Sequence, residues 1–401
     1  MSVGQTTKIV LAVVALAVMV AVGGVYYFLS SVPSSYPIPV ANVTVSVAPG
    51  VPYRQLTTGS WNDRWPSFSP DAKHIAYVSD KGGSSALYVM DPSGLHAFQA
   101  SDGNEMIAHL SWSPNSTQIA YWVLNGQYSE IRVFRLSSNS TISLPGSGPS
   151  AVRTTPSWSP DGSLIAFFAR SGDPQLVVYN LKAGTSAVVA DVSGSYLTAT
   201  WASSDRIIYS TYAGGYEELL WLSLGTGSGG TVLGSGANYM TPVVGPNGTI
   251  SYYSDLNPGQ NSDYLQGYGG NNVWLSNGDG SNATFQYVLA HETEGSSLIV
   301  QVPFVPGKVD VTYQPAWSPD GTRIVYTAYS TEMGYAMYVW DVKSWSTASI
   351  GPTGPGVNAV EPSWSPNGAS IAFSSNLGGF YHIWVVNSNG AAGSTAGVGG
   401  Y

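Results

Sequence analysis

Short apolar runs separated by turn residues make up most of the chain. Residues 74–78 (HIAYV) form one such run, and residues 87–90 (LYVM) form the next, after a stretch that contains two glycines. Runs of β-branched and aromatic residues that are bounded by Gly, Asn, Asp and Pro are typical of antiparallel hairpins. The pattern therefore predicts an all-β fold.

One motif recurs seven times, and its best copies read Pro-Ser-Trp-Ser-Pro-Asp-Gly at residues 156–162 and Pro-Ser-Trp-Ser-Pro-Asn-Gly at 362–368. Each copy is marked by its central aromatic residue or by the residue that replaces it, and the marks are Phe68, Trp112, Trp158, Trp201, Val244, Trp317 and Trp364. The spacings are 44, 46, 43, 43, 73 and 47 residues. Six units would leave Val244 unexplained, and eight would need two units within 73 residues. We therefore predict seven units, with one insertion in the fifth.

Each unit carries the pattern of a four-stranded antiparallel sheet, and such units repeated radially form a β-propeller. The last unit ends without a fourth apolar strand, whereas residues 53–57 (YRQLT) stand before the first motif. We therefore expect a seven-bladed β-propeller in which residues 53–57 supply the outer strand of the seventh blade. Such a closure leaves no open seam in the ring.

The residues of the motif have structural roles. Proline presets φ at the first central position of a type I turn, Asp or Asn suits the second, and Gly adopts the left-handed conformation that follows. We therefore interpret the Asp and Asn of the motif as turn residues rather than ligands. The recurring tryptophan is interpreted as a packing residue between neighbouring blades.

The motif, followed by Ile-Ala-Phe in residues 165–167 and 371–373, closely resembles the repeat of TolB-like β-propellers, which are related in shape to WD-repeat propellers. The resemblance covers residues 53 to about 390. It implies a ring of blades that is closed by pairing strands from both ends of the chain. The motif is specific for the repeat and does not indicate a particular function.

The longest apolar run lies near the N-terminus. Residues 9–29 contain no charge, and at about 1.5 Å per residue they match the roughly 30 Å thickness of a bilayer core. Lys8 precedes this run and no Lys or Arg follows before Arg54, so the positive-inside rule places the N-terminus in the cytoplasm. We expect an uncleaved transmembrane helix with the propeller outside the cell. A cleaved signal peptide and a pilin-like signal at Gly4 and Gln5 are the alternatives.

The predicted layout has five parts. They are a cytoplasmic N-terminus (1–8), a transmembrane helix (9–29), a stalk rich in Pro and Ser (30–52), the propeller (53–390, with an insertion at 255–272) and a flexible tail (391–401).

The composition limits the classes of partner. Charged residues make up 9% of the chain and the formal net charge is −9, which argues against a nucleic-acid surface. The absence of cysteine excludes disulfides, thiolate metal sites and cysteine nucleophiles. Few charges would suit an acidic exterior, such as the surface of an acid-living archaeon, because little stability would then depend on ionised carboxylates.

Repeat symmetry predicts a ring of residues at the channel mouth, three positions before each motif mark. The ring consists of Trp65, His109, Thr155, Thr198, Thr241, Gln314 and Glu361. Either these residues bind a ligand or they solvate a water-filled channel. The insertion at 255–272 is the second candidate, because long loops in compact domains are often functional, and its Asp263, Tyr264 and Tyr268 suit hydrogen bonding and stacking.

Signals for catalysis are weak. The chain has no Gly-x-Ser-x-Gly, no His-Glu-x-x-His and no phosphate-binding loop, so we expect no enzyme activity, no cofactor and no metal. We expect a membrane-anchored scaffold that binds a protein partner or a surface glycan. A carbohydrate-binding or glycoside-hydrolysing propeller and a pilin-like filament subunit are the alternatives. Candidate glycosylation sites are the sequons at Asn42, Asn115, Asn139, Asn247 and Asn282.

Overall fold

The computed structural model describes residues 53–389, apart from residues 104, 126–127, 146–153, 195–196, 235, 255–271, 278–283, 287–288, 292–298, 302–313, 331–333 and 345. The predicted transmembrane helix, stalk and tail therefore lie outside the described residues. In the part that is described, no helix is long and apolar enough to cross a membrane.

The described chain forms seven four-stranded antiparallel sheets, which are the blades of a propeller. The first strand of each blade carries the motif and is the innermost; in blades 1 to 6 the next three follow outward in chain order, and in blade 7 the N-terminal strand is the outermost. Blades 1 to 4 contain β2 (Asp63–Phe68), β3 (Ile75–Ser79), β4 (Ala86–Met90) and β5 (Phe98–Gln99); β6 (Met106–Trp112), β7 (Gln118–Asn125), β8 (Tyr128–Arg135) and β9 (Ser140–Ser143); β10 (Ser157–Trp158), β11 (Leu164–Ser171), β12 (Asp173–Asn180) and β13 (Thr185–Asp191); and β14 (Ala199–Trp201), β15 (Arg206–Ala213), β16 (Tyr216–Ser223) and β17 (Gly229–Leu233).

The remaining blades follow the same order. Blades 5 to 7 contain β18 (Tyr239–Val244), β19 (Ile250–Ser254), β20 (Asn272–Ser276) and β21 (Thr284–Gln286); β24 (Ala316–Trp317), β25 (Arg323–Ser330), β26 (Gly334–Asp341) and β27 (Ser346–Ile350); and β28 (Ala359–Trp364), β29 (Ser370–Ser375), β30 (His382–Asn387) and β1 (Tyr53–Gln55). Between blades 5 and 6, β22 (Leu289–His291) and β23 (Ile299–Gln301) form a separate two-stranded sheet. The predicted seven-bladed architecture is thus confirmed.

The N-terminal strand closes the ring, as predicted. β1 pairs antiparallel with β30, with Tyr53 opposite Val386. Past the end of β1, the backbone N–H of Leu56 donates to the carbonyl of Ile383 at 2.7 Å, and the Ile383 N–H donates to the Thr57 hydroxyl at 2.9 Å. Seven hydrophobic clusters fill the seams, and each is formed by two neighbouring blades, including blades 7 and 1.

The motif tryptophans join the blades. Each donates its indole N–H to a backbone carbonyl of the preceding inner strand, and the pairs are Trp112 to Ser67, Trp158 to Ser111, Trp201 to Ser157, Trp317 to Val243 and Trp364 to Ala316. The acceptor is always the residue just before the preceding motif mark. The interpretation of these tryptophans as packing residues between blades is confirmed.

Two seams lack a tryptophan and use another donor at the same place. In blade 1 the backbone N–H of Phe68 donates to the Ser363 hydroxyl at 3.1 Å, and in blade 5 the N–H of Val244 donates to the Thr200 hydroxyl at 3.4 Å. Ser363 and Thr200 are the residues just before the motif marks of blades 7 and 4. A hydrogen bond therefore crosses every seam of the ring at this level.

The Ser-Pro-Asp-Gly segments form the turns that their chemistry predicts. In blade 3 the Ser159 hydroxyl donates to Asp161 at 2.6 Å and accepts the N–H of Leu164 at 2.9 Å. The same pair of bonds recurs in blades 1, 2, 6 and 7. Gly162 has a φ of 70°. The Asp and Asn residues of the motif are thus turn residues, as expected.

Candidate functional site

The meander of each blade gives the propeller two faces. Turns between the first and second strands and between the third and fourth lie on one face, which we call the turn face. The opposite face carries the loops between the second and third strands and those that lead into the next blade, and we call it the mouth face. Each inner strand begins at the mouth face, so the predicted ring residues lie on that side of the motif marks.

Four of the seven predicted ring residues have a left-handed backbone. Their φ angles are 52° for Trp65, 53° for His109, 50° for Thr241 and 60° for Glu361. This conformation is uncommon for residues other than glycine, and for a β-branched or bulky residue it is an outlier. Such strain costs about 1–3 kcal/mol per residue and is concentrated at functional sites.

β-Bulges cause this conformation. In blades 1, 2, 5 and 7 the register between the inner strand and the second strand shifts at the ring position, for example between Ala108 and Leu110 in blade 2. The other three inner strands are short, and their ring residues Thr155, Thr198 and Gln314 lie just before them. A bulge redirects a side chain, and bulges are common beside active and binding sites.

Consecutive ring residues contact one another over part of the circle. The carboxylate of Glu361 accepts the backbone N–H of Trp65 at 2.8 Å. The Trp65 and His109 rings lie 6.0 Å apart, and Nδ1 of His109 lies 3.5 Å from the Thr155 hydroxyl. These four residues form an arc across blades 7, 1, 2 and 3.

An arginine that the repeat symmetry did not indicate completes the arc. The guanidinium of Arg64 donates to the other oxygen of Glu361 at 2.5 Å and lies between two aromatic rings, 4.9 Å from Trp65 and 4.6 Å from Tyr381. The Glu361 side chain is 4% exposed and that of Arg64 is 27% exposed. The ion pair therefore joins blade 7 to blade 1, with part of its cation at the surface.

A second buried pair lies beside it in the same seam. Nδ1 of His382 lies 3.3 Å from the carboxylate of Asp63, and both side chains are buried. Burial, together with the charge of Asp63, raises the pKa of the neighbouring Tyr77 hydroxyl. The seam between blades 7 and 1 thus holds two buried acidic groups at its mouth end, each with a basic partner.

On the far side of the ring, the ring residues make fewer polar contacts with one another than those of the arc do. The backbone N–H of Thr198 donates to the Ser210 hydroxyl at 2.9 Å, within its own blade. Thr241 is 1% exposed, and its hydroxyl has no hydrogen-bond partner among the described residues. Gln314 is half-buried. Contacts between ring residues are therefore concentrated in the arc.

A charged cluster in blade 2 lies near the mouth face, and its backbone is hydrogen-bonded to blade 1. Arg132 donates to Glu105 at 2.6 Å and to Glu130 at 2.6 Å, and the Ser85 hydroxyl of blade 1 donates to the carbonyl of Glu105. Burial alone would lower the pKa of Arg132, but its hydrogen bonds and its attraction to the two glutamates outweigh that effect and raise the pKa.

Large apolar side chains are exposed on the mouth face. Met106, Tyr212 and Phe380 are 44%, 48% and 44% exposed, and Tyr216 is 37% exposed. Tyr212 and Tyr216 lie at the ends of β15 and β16, next to their hairpin turn, and Phe380 lies in the loop before β30. These side chains stand around the mouth in blades 2, 4 and 7.

Several predicted sites fall elsewhere. Asp263, Tyr264 and Tyr268 of the insertion lie outside the described residues, as do Asn42 and Asn282. The sequons at Asn115, Asn139 and Asn247 all lie in exposed turns of the turn face. Among the residues that the structure describes, no group of His, Asp and Glu is arranged to hold a metal ion.

The sequence pattern singled out neither Arg64 nor His382. Arg64 and Glu361 are separated by 297 positions, so only the closure of the ring brings them together. Closure by the N-terminal strand makes blades 7 and 1 neighbours, and comparing the residues beside the two ring positions would have suggested the ion pair.

These observations define a closed seven-bladed propeller with a polar, aromatic-flanked arc at its mouth. The PD40 family, described as the TolB beta propeller domain, matches residues 110–282. A Tol-Pal system protein TolB from Anaeromyxobacter dehalogenans is 32% identical over 81 residues, which are 20% of this chain. The matched region spans only 18% of that relative.

Solved structures share the architecture. TolB from Acinetobacter baumannii superposes with a TM-score of 0.52 at 17% identity, over 76% of this chain and 67% of that one. An oligogalacturonate lyase from Vibrio parahaemolyticus superposes with a TM-score of 0.61 at 11% identity, over 84% and 93% of the two chains. The protein is thus a β-propeller, and residues 110–282 are similar to the TolB beta propeller domain.

Proposed function

We propose that the protein is a membrane-anchored propeller outside the cell that binds a protein partner through its mouth face, without chemical turnover. The similarity to TolB propellers supports a general role as a protein-interaction scaffold. The relative from Anaeromyxobacter dehalogenans is named as a protein of the Tol-Pal system. The uncharged run at residues 9–29 is the basis for proposing the anchor.

The observation that carries the proposal is the left-handed conformation of Trp65, His109, Thr241 and Glu361 at equivalent positions. Strained residues persist only where surrounding contacts hold them, and their usual benefit is a site that is already arranged for binding. Three of the four lie in the arc, beside the aromatic-flanked Arg64. Aromatic residues and arginine are the side chains that most often anchor protein partners.

Two carboxylates of the mouth, those of Glu361 and Glu105, support binding rather than hydrolysis. Both oxygens of Glu361 accept hydrogen bonds, from Arg64 and from the Trp65 N–H, and Glu105 is paired with Arg132. A glycosidase needs one carboxyl group free to protonate the leaving group and another to act as base or nucleophile. These two glutamates are already committed to structural contacts.

A surface glycan is the second candidate ligand. The Arg64 guanidinium between two aromatic rings and the exposed Tyr212 and Tyr216 offer stacking and hydrogen bonding, which carbohydrates also use. A glycan-array measurement on the intact protein would reveal such a ligand, and release of reducing sugar would reveal turnover.

Affinity purification from the source membranes tests the proposal. Phe380→Ala and Tyr212→Ala should each reduce recovery of the specific partner, because both side chains are exposed on the mouth face. Val188→Ala is the matched control, since Val188 is 54% exposed on the outer strand β13. Equal recovery by all three variants would refute the mouth face as the binding surface.

A further inference from the structure

A second apolar patch lies on the turn face, away from the mouth. Of the large apolar side chains that are exposed in the described chain, Leu95, Phe98 and Tyr53 are 61%, 42% and 38% exposed. Leu95 lies in the turn between β4 and β5, Phe98 begins β5, and Tyr53 begins β1. We call these three residues the entry patch, because the chain enters the propeller at Tyr53.

Direct contacts bring the two parts of the patch together. The Arg54 guanidinium on β1 donates to the carbonyl of Ser93 at 2.8 Å and to that of Pro92 at 3.2 Å. Gly94 lies so close to the residue that follows β1 that an added Cβ would stand 2.8 Å from the Leu56 carbonyl oxygen. The turn that carries Leu95 is therefore docked against the closing strand at the rim of blades 7 and 1.

The chain that precedes this rim indicates what covers it. Residues 30–52 separate Tyr53 from the uncharged run at residues 9–29, and they carry no charge and five prolines. At about 3.1 Å per residue for a Pro-rich linker, such a segment reaches roughly 70 Å at most. A tether of this length presents the entry rim to the bilayer at an effective concentration on the order of millimolar, so a weak contact is enough to hold it.

We propose that the entry patch docks on the lipid surface of the membrane that holds the anchor. Tyr favours the headgroup region, where its ring is buried and its hydroxyl stays hydrated, and Phe and Leu enter the acyl boundary. The proposal rests on the membrane anchorage proposed above and adds an orientation to it. With the turn-face rim against lipid, the mouth face points away from the bilayer toward its partner.

Site-specific fluorescence tests this docking, and the absence of cysteine allows single labels without background. The full chain is reconstituted into phosphatidylcholine vesicles that carry a nitroxide quencher at the headgroup, with an environment-sensitive dye at Leu95→Cys or at Phe98→Cys. Phe380→Cys is the matched control, because Phe380 is similarly exposed on the mouth face. Both substituted side chains of the patch are exposed, so folding should be unaffected.

We expect strong quenching and a blue-shifted emission at positions 95 and 98, and neither effect at position 380. Flotation of the vesicles is measured on the same samples. Protein that floats but shows unquenched labels at 95 and 98, or equal quenching at 380, overturns the docking and leaves the anchorage intact. Protein that fails to float contradicts the anchorage, and the docking proposal falls with it.

Discussion

At the scale of single residues, the hydrogen bond across each seam is the feature that unites the blades. Five seams use an indole N–H and two use a backbone N–H that donates to a hydroxyl at the equivalent position. Where the tryptophan is lost, Ser363 or Thr200 provides the acceptor. The two blades whose motif lacks the tryptophan therefore keep a hydrogen bond across the seam through a different donor and acceptor.

Removing one indole donor should weaken one seam. We expect Trp112→Phe to lower the free energy of unfolding by about 1–3 kcal/mol, because the Ser67 carbonyl loses its donor and the smaller ring leaves a gap. Denaturant titration measures this change. Trp61→Phe, at a half-buried position on the mouth face, is the control and should change the value by less than about 0.5 kcal/mol. A similar loss in both variants would contradict the role assigned to the seam bond.

At the scale of elements, the repeated turns and the closing strand hold the ring. The turns rely on a carboxylate or an amide oxygen that accepts several hydrogen bonds, so Asp and Asn alternate freely among the copies. β1 contains only three residues, and its position depends on Arg54 and on the close approach of Gly94.

The turn aspartates should give the protein a defined acid limit. The hydrogen bond from Ser159 lowers the pKa of Asp161 below its ordinary value of 3.8, and the bond from Ser318 does the same for Asp320. Because the folded-state pKa is depressed, the stabilisation is present above the unfolded-state pKa of 3.8 and is lost progressively as the pH falls through the lower folded-state pKa. We expect the fold to persist between pH 5 and 3, as the proposed acidic exterior requires.

The double variant Asp161→Asn/Asp320→Asn isolates this effect, since Asn occupies the same position in blades 2, 5 and 7. It should keep the turns and show a shallower fall in the free energy of unfolding below pH 4. Denaturant midpoints measured from pH 7 to pH 2 provide the comparison. Unfolding of the native protein between pH 5 and 3, or an unchanged acid limb in the variant, would contradict this account.

The docking of the closing strand can be tested with two glycines that have nearly the same conformation. Gly94 and Gly83 have φ angles of 87° and 91°, but only Gly94 faces another backbone, the Leu56 carbonyl. Gly83→Ala should cost about 1–2 kcal/mol through the left-handed conformation alone. Gly94→Ala should cost more and should speed hydrogen exchange of the amides of Leu56 and Ile383. Equal costs with unchanged exchange would show that β1 does not depend on this contact.

At the scale of the whole molecule, the blade count and the closure followed from the spacing of the motif and from the missing last strand. The ring positions were predictable for the same reason. The left-handed conformation of Trp65 and Glu361 was not, because it depends on bulges in the pairing of two strands rather than on the residue types. The Arg64–Glu361 pair required knowledge of which blades meet.

The two faces of the molecule have different proposed roles. The mouth face combines a strained, polar arc with exposed Met106, Tyr212, Tyr216 and Phe380. The turn face carries the regular turns, three exposed sequons and the entry patch. Partner binding on one face and membrane contact at the rim of the other are therefore separable, and each can be lost without the other.

Photo-cross-linking in the source cells tests the central claim that the mouth face binds the partner. A photoreactive phenylalanine analogue is placed at Phe380 on the mouth face or at Val188 on the outer strand of blade 3, both of which are exposed. The account predicts a discrete cross-linked partner from position 380 and none from position 188. The same adduct from position 188, or an adduct from that position alone, would contradict it.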